Sequence, residues 1–354
     1  MKYFTLCLAM AMLFLSCTKD PSGPDDGNTI VPAAKGVYVL HEGNYGDPSG
    51  ARLALYDLAN DTVFTDIVEG ANQGAHLGST GDDMALFRDK LYVMMSGSEN
   101  IVVLDRNTHQ ILLTAYFPGW VPHAMVIDSV RNRLYLTRLY MNSVIALDLS
   151  TLAVIDSMSV GANPQEMLLT GDELYVCNSG YGTENTVSVL GVSPLQTRAT
   201  IRVGAGPTGI ARASDGSLWV ACTGNPYGMP ALPGAIYKLN AATHSTQDSV
   251  VFTEPLWGAI AVGRDGSAYF LGVTPGSYYG GPLHRLQLSS LTVTRDVVAG
   301  TFYALSIDPA SGDTYLADAK SFVSQGEVRS YTASLVHKRT VEVQRGPSVF
   351  AFSR

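Results

Sequence analysis

The chain has 354 residues, of which 46% are apolar and 15% charged. That is enough apolar surface for a large core and excludes a disordered, solvated chain. Its 23 basic and 31 acidic residues give a net charge of −8 with no run of Lys or Arg, which excludes a nucleic-acid footprint.

The first predicted element is a leader. Met1-Lys2 is a short basic head, Phe4 to Leu15 is apolar, and Leu15-Ser16-Cys17 closes the run; a stretch of this length is a signal segment and not a membrane span. The Leu-Ser-Cys step resembles a bacterial lipoprotein signal, which implies loss of residues 1–16 and lipidation of Cys17, so that the membrane is met through the anchor only. Residues 17–34, with Pro21, Gly23, Pro24, Asp25, Asp26 and Gly27, read as a flexible tether. The Lys19-Asp20 pair resembles the surface-export signal of Bacteroidota lipoproteins, which implies an outer-membrane protein at the cell surface. Cys177 and Cys222 are the cysteines left for a fold, which excludes a disulfide framework and leaves one bridge open.

From residue 35 onward an apolar triplet with a central aromatic recurs: Val37-Tyr38-Val39, Leu91-Tyr92-Val93, Leu134-Tyr135-Leu136, Leu174-Tyr175-Val176, Leu218-Trp219-Val220, Ala268-Tyr269-Phe270 and Thr314-Tyr315-Leu316. Their spacing of about 40 to 54 residues is the period of a four-stranded propeller blade with insertions. A second alternating strand follows each triplet (53–57, 101–105, 144–148, 187–190, 235–239, 283–288, 328–331), and four of these end in Asp or Asn and a turn. A third runs outward, as at 111–117, 154–160 and 293–298. A fourth precedes each triplet (83–87, 123–127, 165–169, 208–211, 258–262, 303–307) except the first. The end of the chain supplies the missing one, because Gly346-Pro347-Ser348-Val349-Phe350-Ala351-Phe352 matches Gly206-Pro207-Thr208-Gly209-Ile210-Ala211. The predicted fold is therefore all-β: a seven-bladed propeller over residues 35–354, closed by the C-terminal strand pairing in the N-terminal blade, which removes open sheet edges.

With blade strands A (inner) to D (outer), the A–B connections are minimal hairpins such as Arg88-Asp89 and Gly171-Asp172. The B–C loops and D–A crossings on the opposite face are long and carry aromatics set among Gly, Ser and Asn, a composition that gives contact area and hydrogen bonds at low entropic cost. The candidate ligand-binding residues are Glu42, Asn44 and Tyr45 in the first loop; Trp120 and Tyr140; Asn178 and Tyr181; Asn225 and Tyr227; and Trp257, Tyr278, Tyr279 and Tyr303. The triplet aromatics are assigned to the core between blades. Function concentrates on loops held by a rigid scaffold, and this face is the candidate.

No catalytic or metal constellation stands out. His41, His76 and His123 fall on the loop face without paired spacing, and each reads as a polar or packing histidine. Glu42, Glu99, Glu184 and Asp318 fall there too, and a propeller lactonase or lyase could use such carboxylates with a histidine. No Gly-x-Ser-x-Gly elbow occurs, and Cys177 and Cys222 read as buried and inert. The expectation is a non-enzymatic protein with no cofactor or metal.

Gly36-Val37-Tyr38-Val39-Leu40-His41-Glu42-Gly43-Asn44-Tyr45-Gly46 resembles the opening of the YncE-like propeller lipoproteins of Bacteroidota, with His41 where Asn is usual. Gly81-Asp82-Asp83-Met84, Val160-Gly161-Ala162-Asn163-Pro164-Gln165-Glu166-Met167 and Asn185-Thr186-Val187-Ser188-Val189 extend the likeness. One branch of that group, the BtuG type, captures cobalamin and passes it to a TonB-dependent outer-membrane transporter. The resemblance implies a corrinoid on the aromatic face, since a disc with amide arms suits Tyr, Trp, Asn and Ser loops. A protein- or glycan-interaction propeller is the alternative, because the fold does not decide function.

Overall fold

A strand inside a ring of blades meets a neighbour on each side, so both of its faces are buried, and the triplets fulfil this requirement. In the computed structural model, which describes residues 35–354 apart from Tyr45, Pro48, Pro226, Tyr227, Tyr278 and the side chain of Ser321, the strand Gly36–His41 is buried along its whole length. Its alternate side chains part company: Tyr38 and Leu40 pack with Leu91 and Val93 of the following blade, while Val37 and Val39 pack with Tyr315 and Val328 of the last one. Cys17 and the leader and tether assigned to residues 1–34 lie outside the described residues.

Seven four-stranded antiparallel sheets result. Six take their strands in chain order; the first combines Gly36–His41, Arg52–Asp57 and Thr62–Phe64 with the C-terminal strand Pro347–Ser353. The closing register pairs Val37 with Phe352, Tyr38 with Ala351 and Val39 with Phe350. The inner strands are Gly81–Phe87, Pro122–Asp128, Pro164–Thr170, Pro207–Arg212, Ile260–Val262, Ala304–Ile307 and Pro347–Ser353, each set against the next around the ring. The predicted architecture and its closure are what the chain adopts.

The recurring aromatic has a reason beyond apolar size. All seven triplet aromatics are at most 3% exposed, and in the first four blades the tyrosine hydroxyl donates to a carbonyl of the next blade's C–D turn: Tyr38 to Arg106, Tyr92 to Leu149, Tyr135 to Val192 and Tyr175 to Ala241, at 2.9 to 3.4 Å. A tyrosine fills the gap between blades and satisfies a carbonyl at its rim. Trp219 turns instead to its own blade, its indole N–H donating to Ser217 Oγ at 2.9 Å. The acidic or amide residue ending four C strands shapes the turn that follows. Asp57, Asp105, Asp148 and Asn240 each accept N–H bonds from the residues two and three further on, which fixes the chain reversal.

Three features differ from the sequence reading. The outer strand of blade 1 has only three residues, and a helix, Ile67–Ala71, takes its place with Ile67 and Val68 buried. Asn72 pins it to blade 2 by donating to His109 O and accepting from Ile111 N. The outer strand of blade 6 runs longer, Thr292–Phe302. The inner strands of blades 6 and 7 begin at Ile260 and Ala304, leaving Trp257 and Tyr303 on the crossings. Cys177 and Cys222 are free and buried; burial pushes the Cys222 thiol up to about 12 and raises Cys177 further from reactivity. Among the described residues no helix is long and apolar enough to cross a membrane.

Candidate functional site

Five inner strands open on the loop face with the same device. Each carries a register shift at its first residues: Gly81 and Asp83 pair with adjacent Met95 and Met94, Pro207 and Gly209 with Cys222 and Ala221, and Pro347 and Val349 with His41 and Leu40. In blades 3 and 4 the shift falls between Pro122 and Met125 and between Pro164 and Met167. A bulge inserts a residue and re-aims its side chain. The residues so placed are Asp82, His123, Gln165 with Glu166, Thr208 and Ser348, one set per blade at the loop-face end of its inner strand. Blades 6 and 7 lack the shift, and there Trp257 and Tyr303 precede the inner strands instead.

The polar part of this ring is a connected network. Asp82 Oδ1 lies 3.3 Å from His123 Nδ1. Burial opposes a charge on His123, but the hydrogen bond and charge of Asp82, the charge of Glu166 and a hydrogen bond with Gln165 outweigh it and raise the imidazole to about 9. It is an imidazolium at neutral pH. Burial and the charge of Glu166 push Asp83 well above the carboxylate range, against N–H bonds from Met125 at 2.7 Å and Met84 at 2.8 Å. Desolvation by the surrounding protein raises Glu166 too, against the His123 charge, although the side chain itself is exposed. Glu42 accepts the Tyr303 hydroxyl at 2.5 Å, and burial together with the Asp82 charge holds it up at about 7 in spite of Tyr303 and His123. Four carboxylates share one cation.

The remaining part is aromatic. The Trp257 indole N–H donates to Tyr303 O at 2.9 Å, with ring centroids 5.6 Å apart. Phe322 meets Tyr303 edge-on at 4.9 Å and Tyr279 at 5.4 Å. Beside this wall a pocket of about 490 Å³ is lined by Gln165, Tyr181, Thr208, Leu256, Trp257 and Val273, among others. Gln165 belongs both to the pocket and to the His123 network. The Thr208 hydroxyl is buried without a partner among the described residues.

Of the residues assigned to binding from sequence, Tyr181 and Trp257 line this pocket and Tyr140 adjoins it through the Tyr181 hydroxyl at 3.0 Å. Glu42 and Tyr303 stand in the channel mouth, and Tyr279 backs the wall. Asn225 is held within its own loop by a bridge to Leu232. Asn44 is exposed, accepts from Arg345 at 3.0 Å and lines a separate polar pocket at the junction of blades 1 and 7. One placement is corrected: Asn178 is fully buried inside the blade, its amide nitrogen donating to Thr186 Oγ1 and Ser188 Oγ of the adjacent strand while its Oδ1 has no partner among the described residues. Trp120 lies half-buried on its crossing, stacked on Phe117 at 4.6 Å with the Arg138 guanidinium over its ring. Tyr45, Tyr227 and Tyr278 lie outside the described residues.

The histidines separate as well. His41 is fully buried, and burial lowers it to about 4, so it is neutral; His76 is exposed beside Glu69. His123, read from sequence as a polar or packing residue, is the centre of the network, and Asp82, Asp83, Gln165, Glu166 and Thr208 were not assigned a role. Among the described residues no group of three or more His, Cys, Asp or Glu is arranged to hold a metal ion.

The chain belongs to the family described as "Domain of unknown function (DUF5074)", whose profile matches residues 35–264. No curated protein matches it significantly. Among solved structures it is similar to a quinonprotein alcohol dehydrogenase-like protein from Bacteroides thetaiotaomicron (15% identity, 90% of this chain and 78% of that chain, TM-score 0.69). It is also similar to the periplasmic gluconolactonase of Pseudomonas aeruginosa (15%, 90% and 99%, TM-score 0.66) and to a virginiamycin B lyase from Staphylococcus aureus (13%, 75% and 84%, TM-score 0.58). At such identities the likeness is one of fold.

Proposed function

We propose that this propeller is a lipid-anchored binding protein of the outer membrane that captures a small organic ligand on its loop face for delivery to a TonB-dependent transporter, with a corrinoid as the first ligand to test. The observation that supports it is the pocket walled by Trp257 and Tyr181 and opening beside the channel mouth: a concave, mainly apolar site with a few convergent polar groups is the ordinary form of a ligand site. Gln165 and the unpartnered Thr208 hydroxyl supply the polar contacts, and amide arms around a macrocycle could meet them while its rim lies on the aromatic wall.

Calorimetric titration of cobalamin tests the reading. Tyr181→Ala should weaken binding by about 2 kcal/mol, the usual cost of truncating an anchoring aromatic, and Trp257→Phe should weaken it by less, while Trp120→Phe should leave it unchanged. No heat at micromolar wild-type protein removes the corrinoid, and wild-type affinity in both the Tyr181 and Trp257 variants removes the site. The perturbed carboxylates around His123 also suit proton transfer, and hydrolysis of a sugar lactone by the purified protein would favour an enzyme instead.

The anchor is a separable part of the proposal. Cys17→Ser should abolish acyl labelling and release the protein from the membrane fraction. A variant that loses the label and stays in that fraction would show that another segment holds it there.

A further inference from the structure

We infer that Tyr181 is a preorganised clamp for the ligand of this pocket: the turn Gly180-Tyr181-Gly182 holds it in a backbone conformation that favours glycine, so that its ring closes on the flat face of a planar group. The inference rests on the pocket being the binding site, and not on the ligand being a corrinoid.

Among the described residues two large aromatics stand in the left-handed region, Tyr181 at φ 52° and Phe322 at φ 60°. Both belong to single helical turns in B–C loops, those of blades 4 and 7. A side chain is costly in that region, and a bulky one most of all. Phe322 has an offset, since it is half-buried and its ring meets Tyr303 and Tyr279 edge-on at 4.9 and 5.4 Å. Tyr181 has little. It is 60% exposed, the ring of Tyr140 is tilted against it with centroids 6.5 Å apart, and its polar contacts are hydroxyl bonds with Tyr140, at 3.0 Å, and Asn163. Such bonds at an exposed hydroxyl add little, and strain that packing does not offset is characteristic of ligand clamps.

The turn that carries Tyr181 is fixed on both sides. Gly180 N–H donates to Ala162 O at 2.9 Å, Gly182 N–H to Ser179 O at 2.8 Å, and the Thr183 hydroxyl to Gly180 O at 2.6 Å. Its flanking positions require glycine: a Cβ at Gly180, at φ 52°, would lie 2.6 Å from Thr183 Oγ1, and one at Gly182, at φ 90°, 2.7 Å from Gly224 O of blade 5. Tyr181 is thus set at the pocket wall before any ligand arrives, which is how preorganisation raises affinity. The same pocket holds Leu256, Trp257 and Val273, and no charged side chain is among its described lining residues. Two aromatic walls in an uncharged, mainly apolar site suit a planar ring, which stacks, above a puckered one.

Stability and binding each test the inference. Tyr181→Gly, which keeps the turn and removes the ring, should melt no lower than the wild type, whereas Phe322→Gly should melt about 4 °C or more lower. A fall of that size in Tyr181→Gly would make the ring structural and overturn the clamp. The binding probes are 2-naphthol and decahydro-2-naphthol, which share a skeleton and a hydroxyl and differ in flatness, titrated up to millimolar concentration by calorimetry. The flat alcohol should bind about threefold or more tighter, although the saturated one is the more hydrophobic. Tyr181→Gly should weaken 2-naphthol about tenfold and abolish the preference, and Tyr181→Phe should keep both. Gly182→Ala, which retains Tyr181 but bars its turn, should weaken 2-naphthol about threefold or more. Unchanged 2-naphthol affinity in Tyr181→Gly, equal binding of the two alcohols, or no binding of either by the wild type would overturn the inference, and the cobalamin titration of the Trp257 variant judges the pocket independently.

Discussion

A chain ending at Gly346 is expected to lose its cooperative thermal transition and to aggregate. The deletion removes the inner strand Pro347–Ser353, which pairs with Gly36–His41 from Gly36 to His41, and leaves that otherwise buried strand as an open edge. It also takes away Phe350 and Phe352, whose rings lie 6.1 and 5.2 Å from Tyr315 of blade 7, and the ion pair of Arg354 with the fully buried Asp308. Losing a buried Phe costs about 3–5 kcal/mol, and Asp308, left buried with only the Ala310 N–H and the Ser311 hydroxyl as partners, loses its countercharge at a further cost. Whole domains hold only about 5–15 kcal/mol, so the sum reaches the total available. Melting followed by circular dichroism, with gel filtration, decides it. A truncated protein that melts as the full chain does and runs as a monomer would show that the closing strand is dispensable.

The closure was legible because its evidence is local and repeated: Gly346-Pro347-Ser348 restates Gly206-Pro207-Thr208, and blade 1 lacks the strand that both segments form. The triplets were legible for the same reason, since a strand buried on both faces must be apolar throughout. The helix Ile67–Ala71 was not, because five residues carry too little periodicity to register. The channel network was hidden by a different cause. Glu42, Asp82, His123, Glu166 and Tyr303 are far apart in sequence, and the bulges that bring the strand-borne members together are a property of pairing register. One signal was present: a polar residue directly after the proline that opens an inner strand, as in Pro122-His123, Pro164-Gln165, Pro207-Thr208 and Pro347-Ser348. Polarity alone misled in the other direction at Asn178, since a polar side chain at a strand end can turn inward and donate to hydroxyls of the neighbouring strand.

The same network makes stability depend on pH through Glu42. Its carboxyl is held at about 7 by burial and by the Asp82 charge, against an ordinary value of 4.5. The folded protein therefore binds a proton that the unfolded chain releases between those values, and the stability this confers is fully present below 4.5 and lost as pH rises through 7. At about 1.4 kcal/mol per unit, the loss is on the order of 3 kcal/mol. Glu42→Gln stays neutral at every pH, and its amide oxygen still accepts the Tyr303 hydroxyl. Wild type and variant should accordingly be equally stable near pH 4.5, with the variant gaining on the wild type up to about pH 8 and holding a constant lead beyond it. His123, raised to about 9, loses its own contribution between 6.5 and 9 in both proteins, so the part of the difference that opens between 4.5 and 6.5 belongs to Glu42. Urea unfolding of the pair across this range is the measurement. A difference that does not change with pH would mean that the Tyr303 hydrogen bond alone accommodates an ordinary carboxylate. A difference that opens around pH 7 would show that burial at the loop face holds the proton of Glu42 to near neutrality, where an ordinary carboxyl has long released it.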